Sequence, residues 1–303
     1  VSPRLAALVS NTWGDFGALV SLALSKRDTA EQGYNTYRWR PRNAQRSDIS
    51  SLSQADQEAV NSGDLRFSRG SRYSQFNSEQ TRVGATLALQ YRPADTFSIG
   101  LDALYGTLDN DRGEFHLQSR GSSSTALGCT GADYDGARNF CSSLTDIEFN
   151  QNNEVIYSSW ENTALHSESR NQEAKTDISQ LVLNAQWRMT DALTISGLLG
   201  HMQSKYKSNS AKVYLESFAD MTIDYRDDRF YGTNTYINGF NPTDINEFRY
   251  HEIDLQEDEV ENSFDIAKLD TDYLLSDNAS LKFGGSFKKF EHSNNREQIG
   301  NVL

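Results

Sequence analysis

The stretch from Thr81 to Tyr105, TRVGATLALQYRPADTFSIGLDALY, decides the fold because it holds two alternating segments around a short turn. Apolar residues occupy alternate positions on both sides of that turn: Val83, Ala85, Leu87, Leu89, Tyr91, Phe97, Ile99, Leu101, Ala103 and Tyr105. An alternation of period two predicts strands with one face toward an apolar medium and the other toward a polar one. The stretch therefore predicts a β-hairpin.

The same unit occurs four times, with predicted hairpins at about 4–27, 79–108, 176–206 and 262–292. Its strands are about ten residues long, which is the length that a tilted strand needs to cross a bilayer. Aromatic residues such as Tyr91, Phe97 and Trp187 lie beside the turns, as in a membrane-interface girdle. The pattern predicts an all-β chain, an antiparallel transmembrane β-barrel that here supplies about eight strands.

The connections between the hairpins are much longer than the turns within them, at about 28–78, 109–175 and 207–261. Outer-membrane barrels have short periplasmic turns and long extracellular loops. We therefore expect residues 1–303 to form one barrel domain in the outer membrane of a Gram-negative bacterium, with the long loops extracellular. Within those loops, 211–217 and 221–226 are typical of strands that continue above the membrane, and 54–61 is weakly helical.

The leading strand of the fourth hairpin has an irregular pattern. Phe264 and Ile266 are out of phase with Ala267 and Leu269. A β-bulge near Asp265 would restore the alternation, because a bulge adds one residue to one strand of a pair.

Composition excludes several classes of protein. The 303 residues carry a net charge of -13, which argues against nucleic acid as a partner. Without a run of about 18 apolar residues, the chain is not a helical membrane protein. Cys129 and Cys141 are separated by eleven residues and are expected to form a disulfide, which needs an oxidising compartment. The alternatives are two free thiols or half of a metal site.

Three stretches resemble a known family. The opening SPRLAALVSNTWGDFGALVSLALSKRDTAEQGYNTYRW (Ser2 to Trp39) resembles the early barrel of large TonB-dependent outer-membrane receptors, most closely the long-loop Caulobacter-type subgroup. LALQYRPADTFSIGLDALYG (Leu87 to Gly106) and LKFGGSFKKFEH (Leu281 to His292) are similar to later hairpins of the same barrel. The resemblance implies a barrel of 22 strands that is plugged by a globular N-terminal domain.

In that family the receptor imports a scarce nutrient, here expected to be an oligosaccharide or a ferric chelate, with energy from an inner-membrane TonB complex. The resemblance implies that the chain is an internal barrel fragment without the plug or the C-terminal strand. It also implies four partners: the plug domain of the same full-length chain, the TonB complex (through the N-terminal region), outer-membrane lipid and lipopolysaccharide, and a small-molecule ligand. No nucleic acid partner is expected.

Two sets of residues are candidates for a site. Aromatic rings among amide and guanidinium groups suit sugars or flat organic chelates, and they predict a ligand vestibule at Tyr37, Trp39, Tyr157, Trp160, Tyr231 and Tyr236. The alternative is that these rings pack the loops together. The resemblance further implies that inward-facing charged residues contact the plug, at Arg82, Arg92, Arg188, Lys268 and Asp270. The alternative for these is hydration of a polar wall.

No catalytic constellation is recognisable, so we expect that the protein is not an enzyme and uses no cofactor or metal. GxSxG, HExxH and Walker motifs are absent. The histidines are scattered without metal-ligand spacing, at His116, His166, His201, His251 and His292. Two other functions stay open: a complete small outer-membrane barrel with adhesive or structural loops, and a secreted all-β binding protein.

Overall fold

The computed structural model describes residues 2–36, 39–41, 47–119 and 142–302. The fold is all-β, with an antiparallel main sheet and one short α-helix, α1 (Gln54–Ser62). The predicted all-β antiparallel class is confirmed. In the described part of the chain no helix has the length and apolar character to cross a membrane.

Twelve strands are present among the described residues. They are β1 (Arg4–Trp13), β2 (Phe16–Asn35), β3 (Trp39–Pro41), β4 (Arg66–Ser68), β5 (Arg72–Ala94), β6 (Phe97–Ser119), β7 (Ser143–Phe149), β8 (Val155–Arg188), β9 (Leu193–Asp224), β10 (Thr233–Tyr236), β11 (Arg249–Ser276) and β12 (Ala279–Val302). A short 3-10 helix spans Ile245–Glu247.

The main sheet has the order β1-β2-β5-β6-β8-β9-β11-β12, with β7 added to β8 and β10 added to β9. Strands β3 and β4 form a separate two-stranded sheet. Among the described residues β1 and β12 do not pair with each other, so the sheet is open and the closure of a barrel is not observed.

Four tight turns join β1 to β2, β5 to β6, β8 to β9 and β11 to β12. The first turn uses Gly14 at φ 59°, a conformation that glycine adopts without steric cost. All four turns lie at one end of the sheet, because the residues beside them are register partners: Phe16 with Tyr91, Phe97 with Trp187, and Leu193 with Tyr273. We call residues 4–27, 79–108, 176–206 and 262–292 the short-turn half, and the other described residues the distal half.

Much of the sequence predicted as long loop is strand. Strands β8, β9 and β11 contain 34, 32 and 28 residues, and each continues its ladder with both neighbours into the distal half. The physical reason is that each extended segment finds a partner for its backbone groups on either side. The predicted strand at 211–217 lies within β9, and the predicted helix is α1, which Ser53 caps at its N-terminus.

The sheet has two chemically distinct faces, because register partners share a face and successive residues alternate. Face A is apolar in the short-turn half, where its larger residues are exposed. They include Val9, Val20, Leu181, Leu199, Leu269 and Phe283, and Leu87 on the same face is half-buried. Face B is mostly small or polar in the same half and includes Arg82, Asp102, Lys268 and Asp270.

The bulge predicted near Asp265 was wrong. Strand β11 keeps an unbroken register with both neighbours between Glu252 and Tyr273, so Phe264 and Ile266 lie on face B. Space for Ile266 comes from Gly200 on β9, where an added Cβ would lie 2.9 Å from the Ile266 Cγ2 atom. The glycine accommodates the out-of-phase side chain, and the register does not need to shift.

The hydrophobic core lies in the distal half. On the sheet side it consists of face-A residues of β8 and β9, including Trp160, Leu165, Met221 and Ile223, which are at most 2% exposed. Leu52, Val60, Leu65 and Phe67, from the segment that contains α1 and β4, belong to the same cluster, as do Leu144 and Ile147 of β7. The protein therefore covers face A only over part of the distal half, at β8 and β9. Leu255 of β11 and Ile299 of β12 lie on the same face and are 41% and 70% exposed.

Candidate functional site

A cluster of two histidines and one glutamate lies on face B of the distal half. His166 on β8 and Glu216 on β9 are register partners, and Glu216 is in turn paired with Arg249 on β11. His251 lies two residues beyond Arg249. His166, Glu216 and His251 are 4%, 7% and 8% exposed, and one nitrogen or oxygen atom from each lies within 4.8 Å of the others.

A β-bulge brings His251 to this position. Tyr250 pairs with Leu215 and Glu252 pairs with Tyr214, so His251 is an extra residue in β11. Bulges occur preferentially beside functional sites, because they redirect a side chain without ending the strand. Here the His251 Nδ1 atom lies 3.6 Å from Glu216 Oε2.

The two carboxylate oxygens of Glu216 face different imidazoles. His166 Nε2 lies 3.3 Å from Oε1, whereas His251 Nδ1 is near Oε2. The two imidazole rings are 5.0 Å apart between centroids and inclined by 40°. Arg249 Nη2 lies 3.2 Å from Oε2 and supplies a positive charge beside the carboxylate.

A second buried polar group lies on the same face of the sheet. Glu114 on β6 forms ion pairs with Arg112 at 2.9 Å and with Arg170 at 3.3 Å. His116 lies 2.9 Å from the Ser74 hydroxyl and 3.4 Å from Glu114. Burial lowers the pKa of Arg170, but the carboxylates around it outweigh this effect and the pKa is raised. Face B is thus polar and charged even where it is buried.

Tyrosines form a cluster on face A of the distal half. The Tyr34 and Tyr73 rings are 5.2 Å apart, and the Tyr34 hydroxyl donates to the Tyr225 hydroxyl at 3.0 Å. Tyr73 donates to the Gly232 carbonyl at 3.1 Å. Burial raises the pKa of Tyr34 and of Tyr225, because the phenolate would lose its hydration. No side chain could replace Gly232, since an added Cβ would collide with Tyr225.

Two of the predicted ligand residues contact this tyrosine cluster. The Trp39 ring packs edge-on against Tyr225 at 5.0 Å, and the Tyr231 ring, which is 61% exposed, lies 5.6 Å from Tyr34. Tyr37 lies outside the described residues.

The other predicted ligand residues are spread over both faces. Trp160 is 1% exposed in the core and donates to the Ser158 hydroxyl at 2.9 Å. Tyr236, the register partner of Met221, packs against Phe240 on the face-A side. Tyr157 lies on face B with the Arg226 guanidinium 4.3 Å above its ring. The structure therefore does not bring the five described residues of this set together in one site.

The residues that were predicted to face the plug also fall into two groups. Arg82, Lys268 and Asp270 lie on face B, and Lys268 forms an ion pair with Asp270 at 2.6 Å. Arg92 and Arg188 lie at the short-turn end, where both contact Asp95. The Arg92 guanidinium forms an ion pair with the Asp95 carboxylate at 3.1 Å, and the Arg188 guanidinium donates to the Asp95 backbone carbonyl at 3.1 Å. The predicted disulfide cysteines, Cys129 and Cys141, lie outside the described residues.

Face B of the short-turn half contains two open grooves. One, of about 650 Å³, runs over Ala23, Gly84 and Gly106, which are register partners with little or no side chain. The other, of about 620 Å³, is polar and includes Asp102 and Asn184 in its lining. Both grooves are on the face that the sequence predicts to be inward.

Comparison of the chain with protein-family models, curated proteins and solved structures gives no match. The resemblance to TonB-dependent receptors therefore depends on the sequence stretches quoted above.

The sequence interpretation missed the histidine–glutamate cluster because its members are 50 and 35 residues apart. One signal was available. Arg188 pairs with Thr194 beside the short turn, and counting 22 residues outward along both strands pairs His166 with Glu216. The position of His251 was not accessible in this way, since it depends on the bulge.

Proposed function

We propose that this chain forms part of a TonB-dependent receptor in the outer membrane of a Gram-negative bacterium, which imports an oligosaccharide or a ferric chelate. The observation that carries the proposal is the exposed apolar face A of the short-turn half. Large side chains there are far from buried: Val9 is 74% exposed, Leu199 55% and Phe283 59%. Contiguous apolar surfaces of this kind mark contact with lipid or protein.

The aromatic residues beside the short turns favour lipid as that contact. Trp13, Tyr91, Trp187 and Tyr273 are all more than 40% exposed. Their rings combine an apolar body with a polar tip, and such residues concentrate at the boundary between hydrocarbon and water. In this proposal the short-turn end faces the periplasm and the distal half extends outside the cell.

The proposal assigns the ligand path to face B. This face carries the charged residues Arg82, Lys268 and Asp270 and both grooves in the short-turn half, so it suits contact with a plug domain. It continues into the buried polar groups of the distal half. The tyrosine cluster lies on the opposite face, where it packs the distal half together. Among the predicted ligand residues within the described ranges, Tyr157 pairs with Asp224 and so lies on face B.

The membrane assignment is tested with a photoactivatable apolar probe that partitions into the bilayer core. The full-length protein is labelled in native outer membranes, and modified residues are mapped by mass spectrometry. We expect labelling at face-A positions such as Leu183, Leu199 and Phe283, and none at the core residue Trp160. Equal labelling of both faces, or labelling confined to the distal half, would contradict the proposal.

The transport assignment is tested by uptake in cells that produce or lack the full-length protein. Two probes are used, radioactive iron supplied as ferric citrate and a radiolabelled maltodextrin, each with and without a protonophore. We expect protein-dependent uptake of one probe that the protonophore abolishes. Tyr157→Ala should reduce that uptake, whereas Tyr231→Ala, on the other face, should not. The proposed function is contradicted if cells with and without the protein take up each of the two probes equally.

A further inference from the structure

We propose that His166, Glu216 and His251 form a binding site for one divalent transition-metal ion, for which zinc is the best fit. The proposal is independent of the transport function, because it depends only on the distal end of β8, β9 and β11. Two imidazoles and one carboxylate are a set of ligands that zinc uses in proteins, with the fourth position taken by water or substrate.

The spacing of the cluster is compatible with the ligands of a single metal ion, with the two imidazoles beside different oxygens of the Glu216 carboxylate. Imidazole nitrogen and carboxylate oxygen lie 2.0–2.2 Å from zinc, so two ligands at the tetrahedral angle are about 3.4 Å apart. The observed separations are 3.3 Å from His166 Nε2 to Glu216 Oε1 and 3.6 Å from His251 Nδ1 to Glu216 Oε2. All three candidate ligand atoms lie within 4.8 Å of one another.

The same distances are long for direct hydrogen bonds. Charge-assisted N–H···O bonds are usually about 2.7–2.9 Å long. Elsewhere in the chain His201 Nδ1 lies only 2.6 Å from Asp265 Oδ1. In the cluster, the His166–Glu216 hydrogen bond is long at 3.3 Å, and His251 lies at 3.6 Å from the other oxygen of the same carboxylate.

His116 offers the informative contrast within the same face. It lies 3.4 Å from Glu114, but its other ring nitrogen lies 2.9 Å from Ser74, and Glu114 is already paired with Arg112 and Arg170. Within the described residues, the pair of His116 and Glu114 has no third potential ligand close enough to complete a metal site. A buried histidine beside a glutamate is therefore not sufficient, and the convergence of three strands distinguishes the proposed site.

Arg249 does not block the site. A carboxylate has two oxygens and about four lone-pair directions, so Glu216 can bind a metal and keep its contact with the Arg249 guanidinium at Oε2. The guanidinium then orients the carboxylate, in the way that outer-shell partners commonly support metal ligands.

The donor set selects the class of metal. Calcium and magnesium take oxygen ligands, and two of the three donors here are imidazole nitrogens. Copper(I) favours sulfur, and none of the three residues supplies it. Zinc, or cobalt and nickel as its substitutes, combines imidazole with carboxylate. A bound ion would join three neighbouring strands across 85 residues of sequence, from His166 to His251.

Cobalt(II) is the probe of choice, because its visible absorption reports coordination number. The full-length protein, purified in detergent and treated with a chelator, is titrated with Co²⁺ and then with Zn²⁺. We expect one equivalent of Co²⁺ with the intense bands of a four- or five-coordinate ion, displaced by Zn²⁺. His166→Gln and His251→Gln should each weaken Zn²⁺ binding by at least about 100-fold, since loss of an outer-shell partner alone costs 10–100-fold.

His116→Gln is the matched control, because it removes a buried histidine from the same face and should leave the metal affinity unchanged. Zinc-edge X-ray absorption of the unaltered protein gives a readout that does not depend on any variant and should show two imidazole ligands. The proposal is overturned if Zn²⁺ binding survives the double substitution of His166 and His251. It is also overturned if the absorption edge shows fewer than two imidazoles, or if no equivalent of Co²⁺ binds.

Discussion

Face A has two different surroundings along one continuous sheet. In the distal half, Leu165 and Met221 of this face are fully buried beneath Val60 and its neighbours, whereas Leu199 in the short-turn half is more than half exposed. Seven strands, from β2 to β12 in the order of the main sheet, run through both halves. The difference teaches that pairing of strands satisfies the backbone, while a second layer is needed to bury the side chains. The distal half has that layer over β8 and β9, whereas the described residues supply none over face A of the short-turn half.

The largest effect should come from removing the centre of the distal core. Trp160→Ala leaves a cavity beside Phe67 and should lower the free energy of unfolding by about 3–5 kcal/mol. Trp187→Ala removes a ring that is 49% exposed at the short-turn end and should cost less than about 1 kcal/mol. Denaturant unfolding of the two variants in detergent, followed by circular dichroism, compares them. Equal losses would mean that the two halves do not differ as described.

A pair of neighbouring residues sharpens the contrast between the faces. Leu183 lies on face A between Leu101 and Leu199, whereas Val182 lies on face B next to Asp102. In lipid, Leu183→Arg should lower stability by about 2–4 kcal/mol, the cost of a cation near the bilayer centre. Val182→Arg should be close to neutral, since Asp102 can pair with it. Stability in bilayers is measured by urea unfolding, and a larger loss for Val182→Arg would reverse the assignment of faces.

Two adjacent glycines test the register of the fourth hairpin. An added Cβ at Gly284 would lie 2.7 Å from the Leu269 carbonyl oxygen, whereas one at Gly285 would meet nothing within 4 Å. Gly284→Ala should therefore cost about 1–3 kcal/mol through overpacking. Gly285→Ala should be neutral or slightly stabilising. Thermal unfolding in detergent measures both, and similar melting temperatures would argue that β11 and β12 pair in another register.

The last effect is confined to high pH and concerns Tyr236, which packs on the face-A side of the distal half. Burial raises the pKa of Tyr236 to about 12, above the value of about 10 for an unfolded chain. The native state therefore holds the phenol proton more tightly than the unfolded chain does, and protonated Tyr236 stabilises the fold relative to the ionised form. This stabilisation is complete below about pH 10 and is lost as the pH rises toward 12.

In Tyr236→Phe this contribution is absent, so the variant should lose less stability than the parent between about pH 10 and pH 12. Unfolding by denaturant across that range, with ultraviolet absorbance of the phenolate, measures the difference. Identical pH dependence for the two proteins would show that Tyr236 is accessible to water.

The short-turn half was predictable because its information is local. Period-two alternation and turn residues determine where Leu87 or Leu101 points, and the four turns follow from Asp and Gly beside the alternating segments. The failure near Asp265 has a non-local cause. Ile266 is tolerated on face B because Gly200, 66 residues earlier, leaves room for it, and no pattern within β11 reveals this.

The distal half was less predictable for the same reason. The sequence does not distinguish the environments of Trp39 and Trp160. Their environments depend on contacts with residues distant in sequence, Tyr225 for Trp39 and Phe67 for Trp160. The histidine–glutamate cluster requires two strand pairings and a bulge at once. Closure of the sheet, the membrane location and the transported nutrient stay predictions.

The unbroken register of β11 has a consequence for how the protein can change in length. A slip of one residue moves every side chain of a strand to the other face, so an insertion between Glu252 and Tyr273 would move Lys268 and Asp270 onto the apolar face. Such an insertion would be selected against, whereas length can vary freely in the turns. Related sequences should therefore differ in turn length and keep constant the number of residues between the bulge at His251 and the turn that follows Ser276.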